Sequence, residues 1–420
     1  MFTFNVPRDA ALICIAGGLR SAAVSLVGVI IAIDLASRGL SPSRIGLVIG
    51  VGIASSALGT VVTAFRGDAW GRRRTLLCIA LLSGGGYVAL AFASTLPLLV
   101  LVAVVGMLNG MGRDRGPASA LEQSLLPSTT TDDRRTWVMA WYNAVIDSGH
   151  ALGALAAALP TLFARTFGVS ALESHAVTFV ACGGAVMASA IPYALLSTFA
   201  DATVDKPAKA DAREDASAAV ARQPVIDART RGIVRRISTL FAIDSIGGGF
   251  LSSSLVAYWF FERYGTSEVQ LAWLFFAARL LNVVSHLAAA WIARRIGLIN
   301  TMVVTHLPSS VFMMLAPAAP SAGIAAAFFL AREALVEMDV PTRQSYVMAV
   351  VPPSARTYAS GITNVTRNAG WAVGPLIGGT VMQHLSLAAP IFIGGSLKII
   401  YDLVLYRSFR HLKAPEEERS

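Results

Sequence analysis

The chain has 420 residues, of which 55% are hydrophobic and 14% are charged, and its mean hydropathy is +0.62. This composition excludes an ordinary water-soluble domain and predicts a membrane protein. The formal net charge is +9, but the basic residues follow the membrane topology described below, so we expect no nucleic-acid partner. The three cysteines lie in apolar stretches without metal-ligand spacing, so we predict no disulfide framework, no metal site and no cofactor.

Apolar segments long enough to cross about 30 Å of hydrocarbon recur along the whole chain. The first six lie near 10–33, 43–65, 75–94, 97–121, 135–163 and 175–197. The second six lie near 235–261, 269–293, 300–318, 321–350, 357–386 and 389–407. We predict an all-α membrane protein with twelve transmembrane helices in two pseudo-symmetric six-helix lobes around a central cavity. The first segment lacks a cleavage site of small residues, so we interpret it as a retained span.

A polar linker, 198–232, separates an N-terminal lobe, 1–197, from a C-terminal lobe, 233–408, and a polar tail follows at 409–420. Because the number of spans is even, both termini lie on one side of the membrane. Most basic residues fall on that side, and the opposite face keeps only Arg38, Arg44, Arg165 and Arg263. The positive-inside rule then places both termini in the cytoplasm. The Ala- and Arg-rich composition with few lysines favours a bacterial inner (plasma) membrane.

The sequence also contains an internal repeat. The segment YNAVIDSGHALGAL at 142–155 aligns without a gap on TNVTRNAGWAVGPL at 363–376, and 39–71 aligns on 265–297. Tandem halves made of apolar helices are typical of a membrane transporter with two lobes around a central pathway. The small residues shared by the first pair of segments, at four-residue spacing, allow close helix packing in lipid.

Two motifs resemble those of the major facilitator superfamily. In the loop after the second span, Asp68, Gly71 and the basic pair Arg72-Arg73 match the family pattern, whereas Ala64 and Ala69 replace its leading Gly and the Arg after Asp. The segment GWAVGPLIGG at 370–379 is similar to the glycine-rich motif of antiporter members, although that motif belongs in the fifth span. The resemblance covers the whole chain and implies alternating access by a monomer. It implies gating roles for Asp68, Gly71, Arg72, Gly370, Gly374 and Pro375.

Ionisable side chains near the middle of a span are costly and mark functional sites in membrane proteins. Five occupy such positions, in spans that line the central pathway of the superfamily: Arg20, Asp147, Asp244, Arg279 and Arg367. We predict that the three arginines bind an anionic or zwitterionic group of a substrate, because a guanidinium suits carboxylate or phosphate. Structural ion pairs that lock helices together are the alternative. His175 and His306 have no ligand set around them, and we expect them to have packing or interfacial roles.

Helical periodicity groups further polar residues with these charges. One face carries Asn143, Asp147 and His150, and another carries Arg279, Asn282 and His286. We predict that Asp147, with His150 one turn on, is the protonatable coupling site, and that Asp244 is its rival. The predicted substrate cavity consists of Arg20, Asn143, Arg279, Asn282, Arg367 and Asn364.

Spans four and ten carry charges of opposite sign at equivalent positions of the repeat. Arg113 aligns with Glu337, and Arg115 aligns with Asp339. Because pseudo-symmetric mates in cavity-lining spans face each other, we predict that one pair forms a salt bridge between the lobes toward the cytoplasmic side, which breaks in the other state. We favour Arg115–Asp339, since Arg115 and Asp339 belong to stripes at helical spacing with Glu122, Arg332 and Arg343. Pairing within a lobe is the alternative.

These features predict a secondary active transporter that moves a small organic solute (anionic, zwitterionic or drug-like) across the lipid bilayer, coupled to protons, with export slightly favoured. An uptake symporter or facilitator of an organic anion is the first alternative. A receptor or scaffold without transport activity is the alternative of another class. The sequence has no phosphate-binding loop for ATP and no catalytic motif at the spacing of a membrane-embedded hydrolase, so we expect no enzyme.

Overall fold

The computed structural model describes residues 7–131, 134–197, 228–340, 342–343, 346, 351–352 and 355–409. Most of the predicted linker, 198–227, and the tail from 410 lie outside the described residues, as does the side chain of Asp68. The described chain is helical and contains no strand.

The first half of the chain forms a bundle whose long central helix packs against the fifth span. Its helices are α1 (Arg8–Ser37), α2 (Pro42–Trp70), α3 (Arg72–Phe92), α4 (Leu96–Val105), α5 (Pro117–Leu125), α6 (Arg135–Ala156), α7 (Leu159–Phe167), α8 (Ala171–Ala188) and α9 (Ala190–Ala194). Helix α1 packs against α6 and α8, α3 packs against α8, and α2 packs against α4. We call this half the N-lobe.

The second half repeats that arrangement and is called the C-lobe. Its helices are α10 (Ala228–Phe250), α11 (Ser253–Tyr264), α12 (Glu268–Ile296), α13 (Leu298–Leu315), α14 (Ala322–Val336), α15 (Arg356–His384) and α16 (Ala389–Phe409). Helix α10 packs against α15 and α16, and α13 packs against α14 and α16.

The repeat predicted from the sequence is present in the backbone. Helices α2 and α12 both have 29 residues, and both follow a serine with φ −69° and ψ 156°. Both end at a glycine with positive φ, 86° at Gly71 and 85° at Gly297. Only glycine adopts this conformation without steric cost, so the two aligned glycines end the two helices at equivalent positions.

Nine helical segments of the described residues are long and apolar enough to cross a membrane. Predicted span eleven, α15, is long enough but more polar, because it carries cavity side chains such as Asn364 and Arg367. Predicted span ten begins as α14, after which part of the chain lies outside the described residues.

The prediction of one continuous fourth span is wrong. Helix α4 ends at Val105, and the chain is irregular over 106–116 until Pro117 begins α5. Met107 and Gly112 have positive φ in this segment, and Pro117 occupies the first helical position, where its missing N–H costs nothing. Arg113 and Arg115 therefore lie on irregular backbone. Such backbone is tolerated at membrane depth where it is buried in protein or lines a cavity.

The two lobes meet at one end of the molecule, which carries the α1–α2 and α11–α12 turns and which we call the sealed end. There α2 packs against α15 and α1 against α11. A Cβ atom at Gly46 would lie 2.9 Å from the Cα of Gly379, so the two backbones are in close contact. Ser43 Oγ donates to Gln383 Oε1 at 2.6 Å across the same interface. The opposite end, where α9 finishes and α10 begins, is called the linker end.

Candidate functional site

A cavity of about 550 Å³ lies between the lobes. Most of its polar lining comes from spans four, five, eight and eleven and includes Arg113, Arg115, Gln123, Asn143, Asp147, His150, Arg279, Asn282, His286, Asn364, Arg367, Asn368 and Trp371. The lining residues toward the linker end, such as Gln123, Asn143 and Asn364, are exposed. His150 and Asn282, deeper in the bundle, are 6% and 5% exposed. The cavity therefore opens at the linker end and is closed toward the sealed end.

Both predicted polar helix faces line this cavity. Asn143, Asp147 and His150 reach it from α6. From α12, which packs against α6 across the interface between the lobes, the cavity receives Arg279, Asn282 and His286. Helical periodicity was sufficient for this grouping, because residues three, four and seven apart necessarily share one side of a helix.

The cavity contains arginines without a carboxylate partner among the described residues. The guanidinium carbons of Arg115 and Arg367 lie 4.9 and 4.8 Å from the ring centre of Trp371, and neither group has a carboxylate within 4.0 Å in the part of the chain that the structure describes. Arg279 Nη2 donates to the carbonyl oxygen of Gly112 at 2.9 Å, while its Nε has no hydrogen-bond partner. Arg279 and Arg367 are half-buried and Arg115 is exposed to the cavity, and a guanidinium group that is partly withdrawn from water is stabilised by an anion beside it. This arrangement can therefore hold an anionic group brought by a ligand.

One ion pair joins the lobes at the cavity, and it differs from the pair that we favoured. Arg113 Nη2 lies 2.7 Å from Glu337 Oε1 and also donates to Asn282 Oδ1 at 2.5 Å. The preferred Arg115–Asp339 bridge is absent, because Asp339 Oδ2 accepts from Arg343 Nη1 at 2.7 Å within the C-lobe. The stripe of Arg115 with Glu122 assumed a continuous helix, and the chain is not helical at Arg115.

Arg20 does not line this cavity, in contrast to its predicted place. It is 4% exposed and forms ion pairs inside the N-lobe, with Asp114 Oδ2 at 2.6 Å from Nε and with Glu122 Oε2 at 2.6 Å from Nη2. The hydroxyl group of Tyr193 donates to Glu122 Oε1 at 2.5 Å and also contacts Arg20 Nη1. This network ties α1 to α5 and α9, which is the structural alternative that we left open for the span-centre charges.

Asp147 is a carboxylate that lines the cavity. Among the described residues, no arginine or lysine lies within 4.0 Å of it. Its side chain is 50% exposed, and His150 Nδ1 lies 3.9 Å from its Oδ1. The other ring nitrogen, His150 Nε2, accepts the backbone N–H of Asp114 at 2.8 Å. A neutral imidazole that accepts at Nε2 carries its proton on Nδ1. The proton of His150 thus lies on the side of the ring that faces Asp147.

A family model described as the Major Facilitator Superfamily matches residues 13–336. The chain belongs to this superfamily. An uncharacterized membrane protein of Saccharomyces cerevisiae is 24% identical over 422 residues, which cover 95% of this chain and 93% of the yeast protein.

Solved structures of transporters share the fold of this superfamily member. A variant of the nucleoside transporter NupG superimposes with a TM-score of 0.72 at 11% identity, covering 96% of this chain and 100% of that one. A bacterial homolog of the human lysosomal transporter Spinster, in an inward-facing and unoccupied conformation, has a TM-score of 0.70 at 15% identity and covers 96% of both chains. At these identities the likeness establishes the fold alone. The chain is thus a multi-pass membrane protein with the transporter fold.

The C-lobe of this superfamily member contains a buried network around Asp244. Asp244 Oδ1 lies 2.6 Å from Lys398 Nζ, and its Oδ2 lies 3.2 Å from Arg343 Nη1. His306 continues the network, with Nδ1 2.9 Å from Asp402 Oδ1 and Nε2 3.3 Å from Lys398 Nζ. Sequence reasoning missed Lys398 and Asp402, although two charges four residues apart inside an apolar span are a usable signal. Asp244 faces a smaller cavity of about 110 Å³ rather than the main one.

The glycines of the superfamily-like motif pack within a lobe. A Cβ atom at Gly374 would lie 2.3 Å from the Cα of Gly249, and one at Gly370 would lie 2.7 Å from the Cβ of Ser245, so α15 rests closely on α10. Pro375 is placed differently, because its carbonyl oxygen would lie 2.4 Å from a Cβ at Gly46 in the N-lobe. Of the predicted gating residues in this motif, Pro375 therefore lies at the contact between the lobes.

Proposed function

We propose that this superfamily member is a secondary active transporter for a small organic anion. The observation that carries the proposal is the pair Arg115 and Arg367, which come from different lobes, face one cavity and share the ring of Trp371. Two neighbouring guanidinium groups repel each other, and a carboxylate or phosphate between them replaces this repulsion by attraction to both. A bound anion would thus draw the lobes together at the linker end, which is the closing step that alternating access requires.

The lining beside these arginines supports an organic rather than an inorganic anion. A small, mostly apolar pocket of about 50 Å³ adjoins Arg115, and its apolar lining includes Ile53, Ala57 and Met111 together with Trp371. Apolar surface of this kind binds hydrocarbon or an aromatic ring, while the guanidinium groups orient the charged end. A zwitterion also suits this cavity, because Asp147 lines it as well and offers a carboxylate to an ammonium group.

Proton coupling is assigned to Asp147 with His150, and Asp244 is retained as the rival. Asp147 faces the cavity, is half exposed and has no cationic partner within 4.0 Å among the described residues, so it can take up and release a proton from water in the cavity. Asp244 is already engaged by Lys398 and Arg343 in this conformation. It becomes available for a proton only after those contacts break.

The orientation and direction are also part of the proposal. Placing the basic linker end in the cytoplasm of a bacterial inner membrane agrees with the positive-inside rule. The cavity of the present conformation then faces the cytoplasm, where a substrate for export would bind. The antiporter-like glycine motif favours export over uptake, and a monomer is the expected unit.

The experiment that tests this proposal is transport by the purified protein in proteoliposomes with a pH-sensitive dye inside. Pools of anionic, cationic and neutral solutes are added in turn, and we expect proton movement with the anionic pool. The Arg367→Gln variant should raise the half-saturating concentration of an active anion about tenfold to a hundredfold, because a charge-assisted contact is lost. Asp147→Asn should lose substrate-dependent proton flux. Arg44→Gln, at an exposed position outside the cavity, serves as the control.

Three results would count against this proposal. Transport of cations and neutral solutes without any active anion would refute the anion site. Full proton-driven transport by Asp147→Asn would move the coupling site to Asp244. If protein that is shown to be folded gives no proton movement with any pool, the receptor or scaffold alternative would be favoured.

A further inference from the structure

A second group of ionisable side chains lies outside the cavity, at the sealed end. His175, in the second turn of α8, has Nδ1 at 3.2 Å from Asp34 Oδ1 and Nε2 at 2.5 Å from Glu268 Oε1. Asp34 also pairs with Arg38, whose Nε lies 2.7 Å from Asp34 Oδ2. Thr161 donates to the second oxygen of Glu268 at 2.7 Å. Glu268 belongs to the C-lobe, and the other groups belong to the N-lobe.

We propose that His175, Asp34 and Glu268 form a proton-binding site that fastens the two lobes together at the sealed end. Both ring nitrogens of His175 contact a carboxylate oxygen, and an ionised carboxylate only accepts hydrogen bonds. A neutral imidazole has one N–H group, so it can satisfy one of the two contacts and must present a lone pair to the other. Both contacts can therefore be hydrogen bonds only when the site holds one extra proton, relative to a state with two ionised carboxylates and a neutral histidine.

The charge and burial of the site lead to the same proton count. The side chains of His175 and Asp34 are 1% and 0% exposed, and that of Glu268 is 12% exposed. With an imidazolium ring, the charges of His175, Arg38, Asp34 and Glu268 add to zero. With a neutral ring, the site retains one uncompensated negative charge away from water, which is strongly unfavourable.

Opening of the sealed end changes this balance. Moving the C-lobe away separates Glu268 from His175, and water can then solvate the freed carboxylate. His175 keeps Asp34 on the same lobe, and this contact needs only the single proton of a neutral ring. At any pH at which free histidine is neutral, the closed arrangement therefore binds one more proton than the open one. A lower pH should favour the closed sealed end, which is the conformation described above, and a higher pH should favour its opening.

The groups around the ring come from each neighbouring element. Helix α1 contributes Asp34 and Arg38, α12 contributes Glu268, and α7 contributes the uncharged hydroxyl group of Thr161. At the end of α3, the carbonyl oxygens of Leu90 and Ala93 accept hydrogen bonds from Arg38. Arg38 compensates the charge of Asp34. The extra proton is therefore needed to compensate the charge of the second carboxylate, Glu268.

The test measures the conformation of the sealed end as a function of pH without any substrate. Spin labels are attached at Thr166→Cys in the N-lobe and Gly323→Cys in the C-lobe, after replacement of the three native cysteines. Both positions are exposed, and a side chain at Gly323 meets no atom within 4 Å. Distance distributions are recorded by electron paramagnetic resonance in nanodiscs between pH 5 and pH 9. We expect the short-distance population to fall with rising pH, by up to about tenfold per pH unit in the closed-to-open ratio for one proton.

Two variants at the site have opposite expected outcomes. His175→Gln cannot carry the extra proton, so the long distance should dominate at every pH. Glu268→Gln supplies an amide N–H to Nε2 of a neutral ring and removes the uncompensated charge, so the short distance should dominate at every pH. His384→Gln removes an exposed histidine at the same end of the C-lobe and should keep the wild-type pH dependence.

The proposal is overturned if the wild-type distances do not change with pH, or if His175→Gln retains the wild-type dependence. It is also overturned if Glu268→Gln opens the sealed end. The wild-type pH series needs no substitution at the site, so it decides the question even if one variant fails to fold. Because no solute is present, none of these outcomes depends on the proposed substrate or on transport.

Discussion

The three guanidinium nitrogens of Arg20 are all engaged inside the N-lobe, by Asp114, Glu122 and the hydroxyl group of Tyr193. Replacing Arg20 by methionine leaves two buried carboxylates without their counterion. We expect Arg20→Met to lower the free energy of unfolding by about 3–5 kcal/mol, as for other broken buried ion pairs. Thermal unfolding in detergent, followed by intrinsic fluorescence, measures this change.

Arg44→Met is the matched control for Arg20→Met, because Arg44 is an exposed arginine on the next helix. Its unfolding should match that of the wild type. If Arg20→Met unfolded like the wild type but lost substrate binding, the assignment of Arg20 to a structural network would be wrong.

The two buried histidines show that the partners of a residue cannot be inferred from its neighbours in the sequence. We expected packing or interfacial roles for His175 and His306, because no ligand set lies near them in the sequence. In the structure His175 contacts Asp34 and Glu268, which are 141 and 93 positions away, and His306 contacts Asp402, 96 positions away. Partners that distant come together only through helix packing, and no local spacing indicates them.

At the scale of elements, close helix packing depends on small residues at particular places. A Cβ atom at Gly153 of α6 would lie 2.0 Å from the carbonyl oxygen of Ala22 in α1. We expect Gly153→Val to lower the free energy of unfolding by about 1–3 kcal/mol or more, because α6 cannot move outward without losing its other contacts with α1. Unfolding in detergent against temperature measures this cost.

Gly184→Val tests whether the loss is specific to this contact. Gly184 also lies in a membrane-spanning helix, α8, but a Cβ atom there meets nothing within 4 Å. Its substitution should be close to neutral. Equal destabilisation by both changes would mean that helix propensity, and not packing on α1, determines the effect.

Span four shows why an apolar segment is a poor guide to helix continuity. The sequence 97–121 is long and apolar enough to span the membrane, but its helix stops at Val105 and resumes at Pro117. Hydropathy measures the preference of side chains for lipid and does not register the positive φ of Gly112 or the ring of Pro117. The break places Arg113 and Arg115 on irregular backbone, so one contacts Glu337 and the other Trp371.

At the scale of the whole molecule, the Arg113–Glu337 pair connects the lobes and should show energetic coupling. We expect Arg113→Glu and Glu337→Arg each to destabilise the protein, and the double variant to recover part of the loss. The coupling in a double-mutant cycle should be about 0.5–3 kcal/mol, the range for residues in direct contact. Unfolding free energies of the four proteins provide the cycle.

The exchange of Arg115→Asp with Asp339→Arg is the control for this cycle. In this conformation Asp339 pairs with Arg343, and Arg115 lies over Trp371, so the coupling between these two changes should be smaller than that between Arg113 and Glu337. Coupling in the control pair and none between Arg113 and Glu337 would contradict the pairing seen here.

The amino-acid sequence by itself determined the membrane class, the repeat and the polar helix faces. Each of these depends on composition, on alignment of one half with the other, or on periodicity within one helix. Asn143, Asp147 and His150 share a face because they lie on one helix, whatever surrounds it.

Only the tertiary structure decided which charges meet. Arg20 pairs inside the N-lobe rather than in the cavity, Arg113 rather than Arg115 reaches Glu337, and His175 joins carboxylates from both lobes. The physical reason is that an ion pair needs its atoms within about 4 Å, a distance set by helix packing and backbone breaks. Local sequence patterns do not indicate that distance for segments that are far apart along the chain.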